Sequence, residues 1–121
     1  MTTILPEAGP AGMLAGLAAV GYTVEQRGEF AVFDYLVEVG PRAGETVRIG
    51  LALVPDWPLS PPPGPHICPR LGHPHGAVHP SPLGEEWEYW SRPASNWPAD
   101  RTVRGYLRHL RTLFSQLEPS A

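Results

Sequence analysis

Four of the chain's five histidines and its only cysteine fall in one short stretch, as His66, Cys68, His73, His75 and His79. Three chemistries are open to such a set. Thiolate and imidazole are ligands that suit Zn²⁺, which would make the segment a zinc-binding domain. Against that, the set does not reproduce a finger: His75 and His79 have His-x-x-x-His spacing, but one cysteine cannot supply the Cys-x-x-Cys half, and the prolines between them limit how the side chains converge. Cys68 by itself could be a nucleophile if His66 or His73 lowered its pKa. The plainer reading, and the one the chemistry favours, is a small buried hydrophobe, the usual fate of a free cysteine. Ser81, Ser91 and Ser95 follow, but a serine nucleophile needs an activating base, and no spacing here fixes one.

The surroundings of this segment are unusual. All four tryptophans and most of the 16 prolines lie between Pro55 and Pro98. Proline lacks the N–H and fixes φ, which argues against a central strand or a helix interior. A solvated linker would not carry Trp57, Trp87, Trp90 and Trp97. The composition predicts a long ordered loop packed on the core, with the tryptophans as anchors. If Trp87 or Trp90 is exposed, it marks a partner surface.

The elements that must hold this loop are legible on both sides of it. Met13, Leu14, Leu17 and Ala18 recur at helical spacing, with Gly21 as the stop. Strand-like runs follow: Tyr22–Gln26, then Phe33, Tyr35, Val37 and Val39, then Val47, Ile49, Leu51 and Leu53, separated by turns at Arg27–Glu29 and Gly40–Gly44. Period-two alternation beside such turns predicts an antiparallel meander with one buried face. At the other end Asp100 stands where a helix cap would. Val103, Tyr106, Leu107, Leu110, Phe114 and Leu117 form one apolar face running to Pro119. Arg101, Arg104, Arg108 and Arg111 fall on another, either as a solvated face or as a docking surface for an acidic partner.

Length and composition bound the rest. The 121 residues suffice for a single domain over 1–121. With 42% hydrophobic and 17% charged residues the chain is globular in composition. A net charge of −3 argues against non-specific nucleic-acid binding. All nine basic residues are arginine. One cysteine permits no intramolecular disulfide, which fits a reducing cytosol. The apolar run Ala11–Val20 is too short to span a bilayer. No basic residue precedes Arg27, and Pro6 and Pro10 interrupt the run, so it is not a secretory signal. The expectation is a soluble, cytoplasmic protein without a membrane or nucleic-acid partner.

A helix, a meander, a proline-rich crossover and a C-terminal helix follow the order of the ubiquitin-conjugating-enzyme (UBC) fold, an α+β class. The motifs sharpen the resemblance. Trp57-Pro58 with Pro61-Pro62 resembles the family's aromatic-Pro and Pro-Pro signature after the third strand. His73-Pro74-His75 stands where the family has His-Pro-Asn. Trp97-Pro98 resembles the segment leading into the next helix. Trp87-Glu88-Tyr89-Trp90-Ser91-Arg92 is similar to the Trp-x-x-Trp-Ser-Arg stretch of the bacterial branch often called prokaryotic family E, although Pro93 stands where a histidine often follows in that branch. The RWD domain, a non-catalytic relative, shares the meander and crossover but generally lacks the rest.

The resemblance implies thioester chemistry on a cysteine between His-Pro-Asn and Trp-Pro, near a group that stabilises the oxyanion. No cysteine occurs from Gly76 to Asn96, and His75 replaces the Asn. The implied function is therefore a binding or scaffolding component of a bacterial ubiquitin-like modification system. Its partners would be a ubiquitin-like protein, an adenylating activating enzyme and a JAB-type metallopeptidase, with no cofactor. The alternatives are a modifier transferase using Cys68, which would lie on or just beyond a fourth strand, with His75 as oxyanion donor, and the zinc-binding domain. On the binding reading the contact residues are Trp87, Trp90, Arg104, Arg108 and Arg111.

Overall fold

A computed structural model of the chain describes residues 8–117. The first helix, α1, spans Gly9–Ala19, with Met13 and Leu17 buried in the core beside Leu51, Val103 and Tyr106. Ala18, assigned to the apolar face by spacing, is exposed. Gly21 ends the helix as anticipated. It is left-handed at φ 106°, and the amides of Gly21 and Tyr22 return to the carbonyls of Ala18 and Leu17. Glycine adopts this C-terminal hairpin of bonds without steric cost.

The meander follows as β1 (Glu25–Arg27), β2 (Phe30–Leu36) and β3 (Thr46–Ala52). The first strand is shorter than the Tyr22–Gln26 run. Tyr22 is still leaving the helix-terminating turn, and its ring packs 4.7 Å from Phe33 instead. In the register Ala31 faces Leu51, Phe33 faces Ile49 and Tyr35 faces Val47, all buried in one cluster. Their even-numbered neighbours Val32, Asp34, Arg48 and Gly50 share the other face.

The helix α2 spans Val103–Ser115 and lays Tyr106, Leu110 and Phe114 on the core. Phe114 packs 5.4 Å from both Tyr35 and Trp90. Asp100 is not its cap. Thr102 is: its Oγ1 accepts the Gly105 amide at 3.0 Å while its own hydroxyl donates to Asp100 at 2.6 Å. Either residue can cap on chemistry alone; the extended backbone of Thr102 decides it. Leu117 is buried just beyond the helix, and Pro119 lies outside the described residues.

The proline-rich segment is the main departure from the sequence reading. It is not only a loop: β4 (His66–Cys68) ends on Cys68, where a fourth strand is expected, and β5 (Val78–Pro80) and β6 (Glu88–Trp90) are two strands beyond it. They extend an antiparallel sheet of order β1-β2-β3-β4-β6-β5. Even β4 is central, with Ile67 opposite Ile49. The prolines permit this because Pro65 and Pro69 flank β4 rather than enter it, and Pro80 sits on the edge strand β5. The class is thus α+β, a six-stranded antiparallel sheet with one helix towards each end of the chain. Among the described residues no helix is long and apolar enough to cross a membrane.

Nor is only one face of the sheet buried. Val32 is fully buried opposite Gly50, on the side away from α2. Leu83 and Trp87, from the connection between β5 and β6, lie over Gly50. A methyl group at Gly50 would stand 2.5 Å from Leu83 Cδ1, so this flap needs the glycine to close down.

Candidate functional site

His73, Pro74, His75 and Gly76 form a tight turn, closed by the Gly76 amide on the His73 carbonyl at 3.0 Å. His73 is buried, and both ring nitrogens are engaged. Nε2 lies 3.1 Å from the Leu113 carbonyl of α2, and the His75 amide donates to Nδ1 across 3.2 Å. A carbonyl only accepts and an amide N–H only donates, so these partners select the neutral ring with its hydrogen on Nε2. Burial holds the His73 pKa below its usual value, opposed by the Leu113 bond; Arg92 and His75 add to the lowering, and Glu88 works against it. Trp90 stands edge-on to the ring with centroids 5.0 Å apart. His75 is exposed, its ring 5.1 Å from that of His73.

Arg92 braces the same turn. Its Nη2 donates to the Gly76 carbonyl at 2.7 Å, and its own carbonyl accepts from His109 Nε2 at 2.9 Å. Leu113 and His109 are one helical turn apart on α2. The bonds therefore close a loop: α2 to His73, through the turn to Arg92, and back to α2.

Glu88 carries more of this region than its sequence context suggests. It is buried at 5% exposure, and one oxygen, Oε2, accepts three N–H groups. These are the amides of Leu71 at 3.0 Å and Gly72 at 2.7 Å, and the Trp90 indole at 2.7 Å. A carboxylate is acceptor-only and suits this converging set. The available signal was an acid inside the Trp87–Arg92 run, two residues from a tryptophan on the same strand face.

Cys68 lies on the opposite side of the sheet from His73. It pairs in register with Arg48, on the face away from α2, and lines a cleft with Arg27, Arg48, Leu83, Glu86 and Trp87. Burial pushes its thiol up, Glu86 adds to this, and Arg48 and Arg27 pull back. Arg48 is already paired with Glu25 at 3.3 Å and Asp34 at 3.5 Å. Such a thiol is protonated at neutral pH and is a poor nucleophile. Neither histidine suggested as its activator serves it. His73 is on the other face, and His66 gives its Nδ1 to Ser81 Oγ at 2.7 Å.

That His66–Ser81 pair supplies the base which spacing alone does not reveal. It has the first half of a nucleophile's geometry and lacks the rest. The His66 ring stacks on Tyr89 and meets Phe30 edge to face, and burial pushes its pKa down to about 4, leaving a weak base. Ser81 Oγ also accepts the Leu83 amide at 3.1 Å. Among the described residues no carboxylate hydrogen-bonds the ring as the orienting member of a triad would. The pair ties the Ser81–Trp87 flap to the sheet. His79 joins the same stack through Tyr89, with centroids 5.9 Å apart.

The other anticipated residues divide as follows. Trp87 and Trp90 are buried, at 6% and 0% exposure, and offer no exposed indole to a partner. They do not lie together: Trp90 packs on His73 and Phe114, whereas Trp87 covers Gly50 on the other face. Trp57 and Trp97 pack against each other with centroids 5.1 Å apart and planes tilted by 50°, and the Trp97 indole donates to the Pro58 carbonyl at 3.0 Å. Pro62 is fully buried, Pro61 half-buried, and Pro74 and Pro98 exposed. Arg104, Arg108 and Arg111 are exposed on α2; Arg108 pairs with Asp100, and Arg111 with Glu38 at 3.5 Å. Among the described residues no three His, Cys, Asp or Glu side chains gather as a metal would need. The five residues of the zinc reading are split between the His73–His75 turn and the far face.

No family model, curated protein or solved structure matches the chain.

Proposed function

We propose that this chain is a UBC-like binding or scaffolding module of a bacterial ubiquitin-like modification system, with no thioester step of its own. One observation carries the non-catalytic part. The only thiol, Cys68, is raised by burial and stands on the sheet face away from His73-Pro74-His75. A transferase needs a thiolate beside its oxyanion donor; here the two are separated by the sheet. The UBC part rests on the order of elements and on the motif positions. The tryptophans of Trp57-Pro58 and Trp97-Pro98 pack against each other, and the His73 turn clasps the C-terminal helix.

The partners of this reading are a ubiquitin-like protein, an adenylating activating enzyme and a JAB-type metallopeptidase. Exposed Arg101 and Arg104, together with Arg108 and Arg111, would meet an acidic surface on one of them. The test combines the protein with ATP, an activating enzyme and the cognate modifier. Calorimetry should detect binding to at least one of them, unchanged in Cys68→Ser. Non-reducing gels with mass spectrometry should detect no adduct. A reducible conjugate on Cys68 would move the protein to the transferase class.

A further inference from the structure

The ring of bonds that holds the His73 turn to α2 has one member that works in a single protonation state. The Leu113 carbonyl needs a hydrogen on Nε2, and the His75 amide needs a lone pair on Nδ1. Adding a proton at Nδ1 points two N–H groups at each other across 3.2 Å. The other bonds in the circuit tolerate acid. Arg92 stays charged, and His109 Nε2 can donate to the Arg92 carbonyl whether or not its ring is charged.

We propose that His73 is a proton-sensitive latch: protonating its ring releases the His73–Ala77 turn from α2 while the sheet and α2 stay folded. The proposal does not depend on the modification-system reading. Every element packed on the ring bears on its titration. Its own turn contributes His75, which works against a charge on His73. The segment after β6 contributes Arg92, which also repels. From β6 come Glu88, which attracts, and the Trp90 ring. Glu88 is already committed to three N–H donors, so it is not free to follow the new charge. From α2 comes the Leu113 carbonyl, which accepts from either form of the ring.

The turn is also the right part to move alone. Pro74, His75, Gly76 and Ala77 are all exposed, and α2 and the sheet share a core that excludes them. Ala77 is held at φ 58°, in the left-handed region that a non-glycine residue rarely adopts. Release relieves that backbone as well. It would also free the Gly76 carbonyl from Arg92 and the Ala77 carbonyl from the Ser91 amide.

The linkage runs in one direction. The latched state holds the ring below its ordinary value, so it is favoured at high pH and weakens as pH falls. From the ordinary histidine value of about 6.5 downwards, the opening constant rises roughly tenfold per pH unit until the latched ring itself titrates.

The experiment uses the full chain. Amide hydrogen exchange, corrected for the intrinsic pH dependence, is followed by mass spectrometry from pH 7.5 to 5.0. Protection in peptides covering residues 73–77 should fall about tenfold per unit below ~6.5, with β2, β3 and α2 unchanged. The titration should vanish in His73→Gln, whose amide can donate to Leu113 but cannot titrate. Ring ¹⁵N spectra of the unaltered protein make the test independent of how that variant folds. They should show a neutral His73 ring with its hydrogen on Nε2 at pH 7.5. A charged or Nδ1–H ring at that pH overturns the latch. So does pH-independent protection of the turn, or loss of protection in step with the whole domain. Persistence of the step in His73→Gln would assign the titration to another group and also overturn it.

Discussion

Glu88 is the residue whose replacement tests this account of the fold most sharply. In Glu88→Ala three N–H donors lose their acceptor at once. They are not equivalent. The amides of half-buried Leu71 and exposed Gly72 can turn to water at a cost of about 1 kcal/mol or less each, whereas a buried donor left unsatisfied costs about 1–3 kcal/mol. The Trp90 indole, on a side chain with 0% exposure, is such a donor. The sum is about 1–5 kcal/mol, a large share at its upper end of the roughly 5–15 kcal/mol that holds a domain together. Glu88→Gln keeps one carbonyl oxygen in place but gives up charge assistance, which roughly halves the strength of each bond. Its expected loss is smaller, about 1–2 kcal/mol. The assay is urea unfolding followed by tryptophan fluorescence and circular dichroism, with slopes of about 1–3 kcal/mol per molar for a small domain. The order wild type, Gln, Ala should hold with the slope unchanged. An alanine variant within 1 kcal/mol of wild type, or one equal to the glutamine variant, would refute the argument that the triple bond anchors the region.

Other consequences can be measured alongside it. Leu110 is fully buried in the core, and Leu110→Ala should cost about 2–5 kcal/mol; an unchanged denaturation midpoint would mean the packing face of α2 is wrong. Tyr106 Oη is buried without a hydrogen-bond partner among the described residues. Tyr106→Phe should therefore be neutral or stabilising by up to about 1–2 kcal/mol, and a loss above 1 kcal/mol would reveal a partner for the hydroxyl. Finally, His66, His73 and His109 are all held below their ordinary value by burial. The unfolded chain then binds more protons than the folded one as pH drops, so stability is full above about 6.5 and falls through the acidic range. For His66, titrating at about 4, the loss between those limits is at most about 3 kcal/mol and less after solvent screening. His66→Asn, which can still accept from Ser81, should flatten that part of the curve; an identical acid profile would remove His66 from the account.

Local pattern determined a good deal of this protein. Alternation over Phe33–Val39 and Val47–Leu53 was enough for the meander and for the face that α2 covers, because side chains on a strand switch sides at every residue. The 3.6-residue stripe from Val103 to Phe114 was enough for α2. Gly21 was a readable stop because only its φ > 0 closes the helix so cheaply. Tertiary structure decided the rest. Strands of three residues between prolines carry too little local pattern to be seen: β4 forms on the edge of β3, β6 on the edge of β4 and β5 on the edge of β6. Spacing grouped His66, Cys68, His73, His75 and His79. The strand alternation at β4 turns His66 and Cys68 away from α2, and the turn after β4 carries His73 to the helix side. The partners that matter to these groups are far off in sequence: Leu113 for His73, Ser81 for His66, Leu71 and Gly72 for Glu88. A hydrogen bond across 15 to 40 residues leaves no local periodicity, so only the folded chain shows which titratable groups are satisfied and which are free to act.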